Sequence, residues 1–88
     1  MRVLVVDDNP DAADSLAAVV ELLGCPVCVC YSGQAAMSAA AGEFEPEVCL
    51  IDLKMPGTDG FELAARLKNL ASGFPRFLIL GRDDSVDR

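Results

Sequence analysis

The chain predicts an α/β fold, a doubly wound parallel sheet of about four strands with three helices, and three observations carry that expectation. Four short apolar runs recur, VLVV (Val3–Val6), VCVC (Val27–Cys30), VCLI (Val48–Ile51) and FLIL (Phe77–Leu80), and helical patterns separate them. The runs are continuous rather than alternating, as in strands buried on both faces of a helix-covered parallel sheet. Acids stand where the first and third runs end, Asp7 and Asp8 after Val6 and Asp52 after Ile51. Right-handed crossovers of this length make successive strands parallel, so all strand C-termini share one edge of the sheet.

The elements follow in order. After the first run, Asn9 can cap a helix and Pro10 can take its first position, while Leu16, Val19, Val20 and Leu23 fall at the spacing of one helix face and Gly24 supplies the stop. In the second run Cys28 and Cys30 alternate with Val27 and Val29, and free cysteines behave as small apolar strand residues. Ser32 can cap an Ala-rich second helix that ends near Ala41 before Gly42, with Pro46 barring its continuation into the third run. Thr58 or Asp59 opens a third helix in which Leu63, Ala64, Leu67 and Leu70 share a face, closed by Gly73 ahead of Pro75. The terminal RDDSVDR is polar and is expected to fray.

Composition narrows the function classes. With 88 residues and 52% hydrophobic content, residues 1–88 read as a single domain with no output domain attached. A net charge of -7 repels a phosphate backbone, which argues against direct nucleic-acid binding. No apolar stretch is long enough to span a membrane, and the start lacks a signal-peptide core, so a cytoplasmic location with no membrane contact is expected. The four cysteines come without any histidine and without paired zinc-type motifs, which disfavours a zinc site.

In open α/β sheets ligands bind outside the strand C-termini where the strand order reverses. If the first and third strands are neighbours there, Asp7, Asp8 and Asp52 converge in one pocket. Convergent carboxylates repel and must take up protons or share a cation; oxygen-only donors select a hard ion such as Mg²⁺. A carboxylate beside Mg²⁺ can act as nucleophile toward a phosphoryl group. Taken alone, Asp-Asp after a strand is a common helix N-terminal device, and Met55-Pro56 or Asp59-Gly60 a simple turn. Only the joint spacing is diagnostic.

The Val6-Asp7-Asp8 motif, the Asp52-x-x-Met55-Pro56-x-x-Asp59-Gly60 spacing and the strand-helix rhythm between them resemble the receiver domain of two-component response regulators. The resemblance implies a flavodoxin-like fold, here truncated to four strands and three helices, and no enzymatic role. It implies Asp52 as phosphoacceptor, with Mg²⁺ held by Asp8 directly, by Asp7 through water and by the backbone carbonyl of Lys54. Pro56 and Gly60 would shape the loop after the third strand. The implied partner is a histidine kinase or phosphotransfer protein. Two departures accompany the likeness. The family places a Ser or Thr hydroxyl at the end of the fourth strand, where this chain reads Leu80, Gly81, Arg82, and a Lys at the end of a fifth strand, which these 88 residues do not reach. Impaired switching is therefore expected, and Arg82 is a candidate replacement cation.

Two rival readings compete with this one. An aspartyl phosphatase resembling the haloacid dehalogenase family would want a second Asp two positions after the nucleophile, where Lys54 stands. The other is a receiver-shaped module that works through its surface or by oligomerising, without phosphorylation; Gly81 favours it, and retention of all three acids favours phosphoacceptance. A sheet without its last strand and helices leaves Phe77–Leu80 as an unpaired edge, so a homodimer is expected in either case.

Overall fold

The computed structural model describes residues 1–53, 55, 57 and 59–70, with the backbone alone of 76–80. The elements run β1 (Val3–Val6), α1 (Pro10–Leu22), β2 (Val27–Cys30), α2 (Gly33–Ala41), β3 (Val48–Asp52), α3 (Gly60–Leu70) and β4 (Arg76–Leu80). All strand pairs are parallel and the order is β2-β1-β3-β4. The chain steps from β1 outward to β2, then crosses back over β1 to β3. The reversal lies between β1 and β3, the neighbours that carry the acids.

The two faces of the sheet bury different residues. Leu4, Val6, Cys30, Cys49 and Ile51 point to one face, where Ala36, Leu63, Ala64 and Leu67 of α2 and α3 meet them together with Met55. Val3, Val5 and Leu50 point to the other, against Ala13 and Val20 of α1. This period-two split of continuous apolar runs is what burial on both faces requires. Burial also pushes the Cys30 thiol up to about 12, helped by its neighbour Cys28, and the Cys49 thiol up to about 11, so both remain protonated core groups at neutral pH.

The helix ends follow their caps. The Asn9 side chain accepts from the N–H groups of Asp11 and Ala12, with Pro10 at the start of α1, and Gly24 at φ +89° ends it. The Ser32 hydroxyl accepts from Ala35 N–H, and Gly42 closes α2. The Asp59 carboxylate accepts from Phe61 and Glu62 N–H and opens α3. The α1 face differs from the expected one. Ala13, Ala17 and Val20 are buried and Leu16 packs in part, whereas Val19 is 53% and Leu23 76% exposed. Small Ala side chains let the helix backbone lie close on the sheet, and the true contact stripe sits to one side of the larger residues. Leu70, expected on the buried face of α3, is 44% exposed in its last turn. Gly73, Pro75 and the terminal RDDSVDR lie outside the described residues, as do Lys54, Pro56, Thr58, Gly81 and Arg82.

Candidate metal and phosphoacceptor site

Asp52 is the last residue of β3 and Asp7 the first after β1, so the in-register pairing of Val6 with Ile51 sets the two acids side by side at the C-terminal edge. One carboxylate oxygen from each of Asp7, Asp8 and Asp52 lies within 4.8 Å of the others. The trio is graded by depth: Asp52 is 5% exposed, Asp7 half-buried and Asp8 exposed. The cluster thus runs from a buried carboxylate at the strand end to a solvated one at its outer side. The donor set is all oxygen and anionic, which fits a hard divalent ion rather than a soft one.

Backbone contacts hold Asp7 from two sides. Its N–H donates to the Cys30 carbonyl across to β2 at 3.0 Å, and its carboxylate accepts from Asn9 N–H at 3.0 Å. The second contact is an Asx-type turn that bends the chain from β1 into α1. Neither was legible as a site feature, although an acid two residues before a helix cap is the pattern of such a turn. Beyond β3, Gly57 takes φ +73°, a conformation that favours glycine, and the expected loop shapers did not include it. Gly60 acts by proximity: a Cβ there would stand 2.7 Å from Leu53 Cδ2 and 3.3 Å from Leu53 Cα, so its absence lets α3 start against the residue after Asp52. Met55 is buried in the core beneath the loop. Lys54, named as a carbonyl ligand, lies outside the described residues.

Tyr31 at the end of β2 is 46% exposed and its hydroxyl donates to the Asp14 carboxylate at 2.7 Å, which ties β2 to α1 near the same edge. That bond holds the Tyr31 hydroxyl above its ordinary range.

In an open parallel α/β sheet the switch point is where ligands bind, and here it carries the three acids. The chain belongs to the response regulator receiver domain family of two-component signalling, which matches residues 3–88. It is 35% identical over 86 residues to the DNA-binding response regulator MtrA of Mycolicibacterium smegmatis, covering 98% of this chain and 37% of that protein. The chain thus spans little more than a third of that relative. Among solved structures, a Burkholderia pseudomallei response regulator with a phosphorylated aspartic acid, calcium ion and citrate superposes with a TM-score of 0.82 at 31% identity, covering 91% of this chain and 46% of that one. The Thermotoga maritima response regulator TrrA in complex with Mg²⁺ and BeF gives 0.67 at 28% identity, covering 77% and 58%. Among the described residues no helix is long and apolar enough to cross a membrane.

Proposed function

We propose that the chain accepts a phosphoryl group on Asp52, with Mg²⁺ held by Asp7, Asp8 and Asp52 and by the Lys54 carbonyl. The observation that carries this reading is the convergence of three carboxylates within 4.8 Å, one of them buried at a strand end. Like charges gather at that spacing at the cost of mutual repulsion, which a shared cation relieves. The ion supplies charge neutralisation for the phosphoryl oxygens. Asp52 supplies the nucleophile: a carboxylate oxygen attacks phosphorus in line, the bond to the donor's leaving group breaks, and an acyl phosphate results. Its place on a strand rather than a loop fixes the line of attack. A histidine kinase or phosphotransfer protein is the proposed donor, in keeping with the family and with the names of its relatives.

Incubation with a small phosphodonor and Mg²⁺, read by intact mass, tests the assignment. One phosphoryl group should add slowly and incompletely, and Asp52→Asn should abolish the addition. Slow labelling is expected because the residue after Leu80 in sequence is Gly81, which has no hydroxyl to meet the transferred group. No labelling at all would favour the second reading, a receiver that works through its surface without phosphate, which the same Gly81 supports. A second copy of the chain is a further proposed partner: among the described residues β4 pairs with β3 alone, and an unpaired strand edge can template pairing with another chain. Light scattering on a size-exclusion column at micromolar concentration should report a dimer, and a monomer throughout would refute it.

A further inference from the structure

Cys28 and Cys30 occupy the same face of β2, which among the described residues pairs with β1 alone. Cys28 packs against the same core cluster that buries Cys30. Cys28 is half-buried and Cys30 only 4% exposed, so Cys28 is the more accessible residue of the two. Cys49 lies beyond β1, opposite Leu4, which separates it from Cys28 on the shared face. Cys28 and Cys30 are the two cysteines that share one strand, while Cys49 acts on Cys30 from β3. Residues two apart on a strand have Cα atoms about 6.6 Å from each other, close to the upper limit that a disulfide tolerates. Joining the two sulfurs must shorten the strand locally. An edge strand, held on one side only, can do so most easily.

That distortion would not stay local. The Cys30 carbonyl accepts the Asp7 N–H at 3.0 Å, and Asp7 is one of the three clustered acids. We propose that Cys28 and Cys30 form a redox modification site in which hydroperoxides oxidise the pair to an intrastrand disulfide, and that the bond weakens divalent-cation binding at the acidic cluster by displacing Asp7. The second half rests on the metal-site reading given above; the first half does not. In the first step the Cys28 sulfur attacks one oxygen of hydrogen peroxide, the O–O bond breaks, and the thiol proton leaves with the departing hydroxide as water. In the second, the Cys30 sulfur attacks the sulfenic sulfur, the S–O bond breaks, and the Cys30 proton completes a second water. Two thiols lose two electrons and two protons, and one peroxide becomes two waters.

The test uses the whole chain, reduced and then exposed to a small excess of hydrogen peroxide. Intact mass without reductant should show a monomer that has lost two hydrogens, reversed by dithiothreitol, and peptide mapping should join Cys28 to Cys30. Hydrogen exchange at the Asp7 amide should quicken about fivefold or more in the oxidised form, and Mg²⁺ affinity should fall by a similar factor, the lower end of typical coupling between sites. By the same linkage, millimolar Mg²⁺ should make the disulfide easier to reduce. The Cys28→Ser variant should be indifferent to peroxide in all three readings, and Cys30→Ala provides a second check should that variant fold poorly. Disulfides between chains, a Cys28 oxidised while Cys30 stays free, or a mapped disulfide that leaves the Asp7 amide unchanged would each overturn the proposal. If the reduced protein binds no Mg²⁺, the metal-site reading fails by itself, while mass and exchange still decide whether the cysteine pair acts on Asp7.

Discussion

The two ends of the sheet treat charge in opposite ways. At the C-terminal edge three carboxylates crowd together within 4.8 Å, and one of them is buried. At the N-terminal edge, opposite charges meet: Arg2 N–H donates to the Glu47 carboxylate at 2.8 Å, the Arg2 guanidinium donates to the Glu45 carbonyl at 2.7 Å, and Glu47 and Val48 N–H return bonds to the Arg2 carbonyl. Those side chains are about half exposed. The same pair of strands is thus closed at one end by groups of opposite charge and carries three groups of one sign at the other. A local departure from charge complementarity in an otherwise consistent fold is a usual mark of a site kept for function.

The largest effect is expected at the acidic end. Mg²⁺ at about a hundred times its dissociation constant should stabilise the fold by about 2.7 kcal/mol, and Asp8→Asn should abolish most of that gain in a thermal melt. A Mg²⁺ response that survives Asp8→Asn would mean that the acids do not act as a set. Next comes Gly60→Ala, which sets a methyl group against Leu53 beside Asp52. It should cost about 1–3 kcal/mol by denaturant titration and weaken the Mg²⁺ response as well, since α3 can no longer close on the end of β3. A smaller effect belongs to neither end. Cys30 and Cys49 keep their protons to about 12 and about 11 in the fold, against an ordinary value of 9.0. Above pH 9 the unfolded chain therefore releases protons that the folded chain retains. Their contribution is complete below pH 9 and is lost as pH rises toward 11 and beyond, and Cys49→Ala should make that fall less steep. The smallest effect is at the complementary end, where Arg2→Ala should cost about 0.2–1 kcal/mol, because an exposed ion pair is screened by solvent and salt. A larger loss would mean that the backbone bonds around Arg2 depend on its side chain.

The sheet and the acid cluster were legible because each was encoded by a strong local signal. Four apolar runs specify strands regardless of what packs on them, and acids at run ends need only the β1–β3 adjacency to converge. The buried side of α1 was not legible. Apolar residues lie on nearly every side of that helix, so periodicity picked the stripe of Leu16, Val19, Val20 and Leu23, and only contact with the sheet selects Ala13 and Ala17 over Val19 and Leu23. The grip on Asp7 was hidden for a different reason. It is made by backbone groups of Cys30 and Asn9, whose side chains say nothing about where their N–H and C=O groups point. At Gly60 the structure shows a reason sequence could not give, a Cβ that would crowd Leu53.

The position of β1 in the strand order bears on how the molecule assembles. Although it is first in sequence, β1 is an interior strand, paired with residues about 24 positions later on one side and about 45 later on the other. During synthesis it must therefore wait, one edge unpaired, until β3 has left the ribosome, and every native pairing it makes closes a long loop. Folding of this chain should be a late, concerted event rather than a progressive one. Deletions reaching Val3 would remove the centre of the sheet, whereas the loss of a few residues from a frayed terminus is ordinarily harmless.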